Sequence, residues 1–432
     1  MKMVKSDMLL QNTAETMLDN INKLSNTFSS ADIKTLSAAT FPGTHCPLMG
    51  SLMAVRSLKD ALFVVVGTDE CTFYTQTLTE MRLFADVAPR FIPIVLDDSD
   101  ITFGSLPKVK RRLRKLVGNF EYQYVVIVTT CMNELIGDDF DGSISELEEI
   151  VQKPVLLVHT EHFSCSNHIP GIEKTWEILV KLMERTNPNR SFNILGDARN
   201  NRKHQEMLDL CRLLGVDIGV QFTGAIDIDD IRNAGNANAN LVFNKEMLPL
   251  AKKMQEKFQQ PYFLLASLIN PDTAIKEYKK LFEIVGKNIP NIVQQQYVRC
   301  KQAEKMLINN HKKATYIYGN GHIDCLTLSA YLCRLGLKPL LLQTNQIKPN
   351  EDVYRQEILE YSDPYICQGA NLTAMNEIYK ILEPDLFIGT EFQGRLQKQG
   401  IQVVDTLNLD IGIGFSGIEA FLQKLVLSLK EL

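Results

Sequence analysis

Residues 63–75 read FVVVGTDECTFYT. Four apolar residues, three of them valine, run into Gly67, and a cysteine, Cys71, follows beyond the end of the run. Short, continuous, β-branched apolar runs are strands with both faces covered, as in a parallel sheet flanked by helices. A thiol kept only for packing belongs inside such a run. This one is aimed into the turn and loop that follow it.

The same succession of apolar strand, turn and helix recurs along the chain. Strands are expected at 61–68, 90–98, 124–131, 153–160, 191–197, 219–225, 239–244, 314–321, 338–344, 384–390 and 401–407. Between them lie helical stretches. One helix is read across DSDITFGSLPKVKRRLRKL (98–116), with Leu106, Val109, Leu113 and Leu116 at intervals of three and four, and another across KHQEMLDLCRLLG (203–215), which ends on a C-terminal glycine. Strands alternating with helices predict an α/β fold of doubly wound units.

Two polar breaks, ERTNPNRS (184–191) and NNHKKA (309–314), divide this pattern. They predict three Rossmann-like domains with parallel sheets, at 39–188, 189–310 and 311–432, after an N-terminal helical arm of residues 1–38. No low-complexity tract or exact repeat interrupts them.

At 432 residues, 45% hydrophobic and 22% charged, the chain has the composition of a globular protein of several domains. No apolar run reaches the roughly 18 residues of a membrane span, and the N-terminus carries acidic residues where a signal peptide is apolar. A cytoplasmic protein with no membrane segment is expected. The net charge of −5 offers no global attraction to nucleic acid.

Nine cysteines in a reducing compartment do not form a disulfide framework. No two are spaced C-x-x-C, which disfavours zinc ribbons, thioredoxin-type motifs and ferredoxin-type runs. Cys71 follows the strand at 61–68, Cys131 ends the strand YVVIVTTC, and Cys46 lies in the loop FPGTHCPLMG ahead of a helix. Functional groups of open parallel sheets gather outside the carboxyl ends of the strands. These three thiols are either small buried hydrophobes or ligands assembled from distant segments around iron and sulfide.

The contexts HCPLMG, VVGTDECTFY and TTCMNELIGDD, at that spacing, resemble the three cysteine segments of the nitrogenase component 1 superfamily. The likeness runs on through KPVLLVHT, FTGAIDIDDIRNAGNANANLVFN, PYFLLASL and PDLFIGT, covering roughly residues 40–432. The family includes nitrogenase subunits, their cofactor-assembly scaffolds and the dark protochlorophyllide reductases. The resemblance implies that Cys46, Cys71 and Cys131 bind an iron–sulfur cluster, of the four-iron, four-sulfur kind, at a subunit interface. It also implies electron delivery from a separate ATP-dependent iron–sulfur reductase, assembly as a homodimer or with a homologous subunit, and a cleft between the second and third domains for a small organic substrate, a tetrapyrrole or a sulfur compound.

The chain departs from the pattern of catalytic nitrogenase α subunits. Where NANLVFN would end in a cofactor-binding cysteine stands Asn244, and DTLNLDIGIGFSGIEAF lacks the cofactor histidine, the last histidine being His322. These departures imply reduction of something other than dinitrogen, a scaffold role in metal-cofactor assembly, or a β-type structural subunit. The chain has no G-x-x-x-x-G-K-[ST] and is not expected to hydrolyse ATP itself.

Three further features remain open. HTEHFSCSNHIPG sets His159, His162, Cys165 and His168 three apart, either a zinc site, a polar loop lining the substrate or cluster region, or an ordinary surface loop. KVKRRLRKL is either a docking surface for an acidic partner or a solvated helix face. Asp69, Glu70, Glu134 and Asp138 stand around the cysteine loops as helix caps, or as a source of a carboxylate ligand or a proton. YGNGHID has G-x-G after a strand without the third glycine of a dinucleotide site, so a tight turn is expected there.

Overall fold

Every residue of the strand Ala61–Gly67 is buried, and its side chains divide by parity between two cores. Ala61, Phe63 and Val65 pack with Leu48, Leu52 and Trp176, whereas Leu62, Val64 and Val66 pack with Val109, Leu113 and Leu147. Fully burying a side chain of this size contributes about 1.5–3 kcal/mol, so a continuous apolar run is stable only where both faces are covered.

The structure, a computed structural model, describes residues 14–35, 46–161, 167–196, 201–222, 224–265, 268–310, 313–319, 324–344, 347, 351–368, 373–389, 396–406 and 414–430. The strands are β1 (Asn22–Lys23), β2 (Lys34–Thr35), β3 (Ala61–Gly67), β4 (Phe91–Val95), β5 (Tyr124–Thr129), β6 (Val155–His159), β7 (Ser191–Leu195), β8 (Asp217–Phe222), β9 (Ala239–Val242), β10 (Tyr262–Leu264), β11 (Thr315–Tyr318), β12 (Lys338–Gln343), β13 (Tyr365–Gln368), β14 (Leu386–Gly389) and β15 (Gln402–Asp405). Helices used below are α1 (Pro47–Val55), α2 (Asp69–Glu80), α3 (Asp98–Phe103), α4 (Leu106–Leu116), α5 (Cys131–Ile136) and α6 (Ile169–Glu177). No helix among the described residues is long and apolar enough to cross a membrane.

The chain gathers into two compact units. One, Thr40–Arg199 with Gly215–Leu264, holds two parallel sheets, ordered β4-β3-β5-β6 and β10-β9-β7-β8. In each, the second strand lies on one side of the first and the third on the other. The order therefore reverses between β3 and β5 and between β7 and β9, and such reversals open a crevice at the carboxyl ends of the strands.

The other unit holds the third sheet, in which β11 to β15 pair in parallel in the order β13-β12-β11-β14-β15. Its N-terminal arm is helical over residues 14–20 and then contributes β1 and β2, which pair with the edge of β13. Arg355, buried, secures that arm: its guanidinium donates to the carbonyls of Leu24 (3.1 Å) and Ser25 (2.9 Å) and stacks on Phe28 at 4.4 Å. An edge strand covered in this way cannot pair with another chain.

Two local readings change. The single helix expected over 98–116 is two, α3 and α4, because Gly104 at φ 94 breaks it. Cys71 does not stand in a loop. It is the third residue of α2, which starts as soon as β3 has ended.

Candidate functional site

Three helices begin around the reversal between β3 and β5, and each carries one of the cysteines singled out by sequence. Cys46 is the N-cap of α1, Cys71 lies in the first turn of α2, and Cys131, two residues past β5, opens α5. All three are partly exposed, whereas Cys211, Cys300, Cys325, Cys333 and Cys367 are buried. Negative charge on Cys71 and Cys131 acts on Cys46, and that on Cys131 acts on Cys71, so the three thiols share one neighbourhood.

Each helix is pinned separately. Glycines set the crossing of α1 with α6: a Cβ on Gly50 would run into the His168 carbonyl, and one on Gly171 into the Pro47 carbonyl. Thr175 Oγ1 donates to the Gly171 carbonyl at 2.7 Å and lies 3.1 Å from Ser51 Oγ across the same contact. In α2, Thr72 Oγ1 donates to the Thr68 carbonyl (3.0 Å) and Thr75 Oγ1 to that of Cys71 (2.8 Å). For α5, Asp138 accepts from Ser105 N at 3.0 Å and from the Ser105 hydroxyl, Asn133 Nδ2 donates to Ser105 Oγ at 3.1 Å, and Asn133 Oδ1 accepts from Thr130 N at 3.1 Å. Gly67 lets β3 and α5 approach, since a Cβ there would come within 2.6 Å of Thr130 Oγ1.

Burial pushes the Cys46 thiol above its ordinary range; backbone N–H groups of Leu48 and Met49 oppose this, and repulsion from Cys71 and Cys131 adds to it. The Cys71 thiol is likewise raised by burial, against a hydrogen bond from Thr68 and with repulsion from Cys131 and Glu70. Beside them Tyr74 has a buried hydroxyl without a hydrogen-bond partner, its own proton held first by burial and then by the charge of Cys46. Two consequences follow. In metal-free protein these thiols keep their protons, so at pH 8 iodoacetamide should modify Cys46 and Cys71 more slowly than a cysteine peptide, the rate still climbing above about pH 8.5. Peptide mapping of alkylated protein checks this, and rates equal to the peptide's would contradict it.

The second consequence concerns metal. Among the described residues no three His, Cys, Asp or Glu side chains converge as one bound ion requires. Three soft sulfur donors that repel one another, none in a disulfide, fit instead an iron–sulfur cluster, whose separate irons each take a thiolate. Positive iron would turn the mutual repulsion into attraction and release the thiol protons.

The other sequence candidates separate. His159 ends β6 and pairs with carboxylates, and His168 is the N-cap of α6; His162 and Cys165 lie outside the described residues, as do His322 and residues 320–323 of YGNGHID. Of the basic stretch, Val109 and Leu113 are buried, Lys108 pairs with Asp97 and Asp100, and Lys110 with Glu146. Asn244 follows β9 across the second reversal from Gly196, whose φ is 112 and whose Cβ would come within 2.6 Å of the Asn244 Cβ. Sequence reading missed Tyr74 and the glycine crossing. Their only signals were a tyrosine one turn after Cys71 and two glycines in separate helices.

A model of the family described as nitrogenase component 1 type oxidoreductase matches residues 46–430. The chain belongs to this family. The family expected from the cysteine segments is the one found. This component 1 chain is 24% identical over 359 residues to the nitrogenase iron-molybdenum cofactor biosynthesis protein NifE of Clostridium pasteurianum, covering 80% of this chain and 77% of that one. It is 24% identical over 330 residues to the nitrogenase vanadium-iron protein beta chain of Trichormus variabilis (69% and 70%). It is 22% identical over 400 residues to a component of the light-independent protochlorophyllide reductase of a Picosynechococcus species (84% and 75%). The solved structure of nitrogenase Cp1 at pH 6.5 shares the fold, with a TM-score of 0.66 at 17% identity over 92% of this chain and 95% of that one. Component 1 proteins bind iron–sulfur clusters and work with partner subunits and an ATP-dependent reductase.

Proposed function

We propose that this component 1 chain holds a four-iron, four-sulfur cluster through Cys46, Cys71 and Cys131 and relays electrons from an ATP-dependent iron–sulfur reductase to a small organic substrate, a tetrapyrrole or a sulfur compound. It works as a homodimer or with a homologous subunit. The observation that carries this reading is the gathering of three thiols from three separate segments at the carboxyl edge of the first sheet. When bound, the cluster supplies one-electron chemistry at a potential set by burial and hydrogen bonding. The protein's own part is to orient the thiolates through three anchored helix starts, to exclude water by their partial burial, and to offer the spare Tyr74 hydroxyl as a donor beside Cys46.

Asn244 supports a substrate other than dinitrogen, because an amide cannot replace a soft thiolate on a molybdenum–iron cofactor. A second reading, a scaffold for metal-cofactor assembly, draws on the similarity to a cofactor biosynthesis protein. The β-type structural role draws on the similarity to a nitrogenase beta chain. Anaerobic protein mixed with its reductase partner and ATP separates the first two. ATP-dependent reduction of a candidate tetrapyrrole or thioether is the expected result. Transfer of a metal cluster to an acceptor protein, with no substrate reduced, would replace the enzyme by the scaffold.

A further inference from the structure

We propose that Glu134 and His159 take up one proton with each electron delivered to the thiol site, and that Asp141 supplies that proton from solvent. The inference rests on the cluster reading above. His159 ends β6 in register with Thr129 of β5, two residues before Cys131. Its Nδ1 lies 2.6 Å from Glu134 Oε1, and its Nε2 lies 3.1 Å from Asp141 Oδ2. Thr129 Oγ1 donates to the same Glu134 oxygen at 2.8 Å and lies 3.0 Å from His159 Nδ1. Glu134 follows Cys131 by one turn of α5.

A carboxylate at each ring nitrogen is more than a structural tie needs, since half-exposed ion pairs contribute little to stability. It is what proton passage needs, because each nitrogen can receive or release a proton toward its own partner. Exposure falls along the row: the Asp141 side chain is 72% exposed, His159 29% and Glu134 28%. Among the described residues the remaining charged groups at the ring are Lys174, whose Nζ donates to the His159 carbonyl at 2.9 Å, and Glu161, which Lys174 holds at 2.9 Å. That pair cancels itself and leaves the Glu134 carboxylate facing the ring. In the step, one electron from a low-potential iron–sulfur donor adds one negative charge at the thiol site. One proton from water, drawn in past the Asp141 carboxylate, binds Nε2, and the imidazolium so formed keeps its Nδ1 proton hydrogen-bonded to Glu134 Oε1. Charge at the site is then unchanged.

The test is the midpoint potential of anaerobic, iron-loaded protein between pH 6 and 8, followed spectroscopically during titration with dithionite. Wild type should fall by about 59 mV per pH unit, the value for a tenfold change in proton activity in a one-electron couple. Glu134→Gln removes the negative charge that faces the ring nitrogen, and His159→Gln removes the ring itself, so both should lose the slope with their iron intact. Asp141→Asn should keep the slope and slow the approach to it. A flat wild-type potential, or a full slope in Glu134→Gln protein with full iron, would overturn the relay alone. Wild-type protein without iron would overturn the cluster reading as well.

Discussion

Cys71→Ser protein, isolated anaerobically beside wild type, should lose most of its iron and acid-labile sulfide. Serine keeps the size and the place in the first turn of α2 but offers a hard oxygen with a tightly held proton instead of a soft thiolate. Loss of a partner that merely orients a ligand costs about 10- to 100-fold in metal affinity, and loss of the ligand itself should cost no less. Cys46→Ser and Cys131→Ser should behave alike. Cys211→Ser is the control: that thiol is 2% exposed, burial pushes it up to about 11, and it lies outside the group. Its iron should be unchanged even where stability falls. Full iron and an unaltered spectrum in Cys71→Ser protein would remove the ligand assignment.

Gly50→Val should be strongly disruptive at the crossing of α1 and α6. The added Cβ would meet backbone, the His168 carbonyl and Ile172 N at 2.8 Å, and backbone cannot swing aside as a flexible side chain can. Overpacking of this kind costs about 1–3 kcal/mol and occasionally more. The helices must separate, and Cys46, one residue ahead of α1, moves with them. Denaturant unfolding should show the lost stability, and iron content should fall with it. Gly171→Val should repeat the result from the other side, against the Pro47 carbonyl. Gly118→Ala, with nothing within 4 Å of its Cβ, should change stability by less than about 0.5 kcal/mol and leave iron intact. Gly50→Val protein of wild-type stability would show that the close crossing is not what holds α1.

Strand positions were legible because burial on both faces writes itself into composition. All eleven expected strands exist, with ends shifted by a few residues, as at 91–95 where 90–98 was expected. The strands that escaped notice are short: β1 and β2 have two residues each, β10 three, and β13 four in the sequence YICQ. A run that brief carries no period, and β1 and β2 exist only because the edge of β13 is there to pair with them. Gly104 was legible as a residue but not as a break, since the spaced residues Leu106, Val109, Leu113 and Leu116 all lie beyond it and say nothing of the turn before them.

From the sequence alone came the α/β class, the parallel sheets and the three cysteines worth watching, because apolar runs and thiols at strand ends are local facts of composition and order. Tertiary structure alone decided the company those residues keep. Glu134 and His159, 25 residues apart, meet because β5 and β6 pair in parallel with Thr129 opposite His159. Gly50 and Gly171 matter because two helices cross on their backbones. Such contacts depend on register and crossing geometry, which are set by how whole layers pack and are written in no single segment.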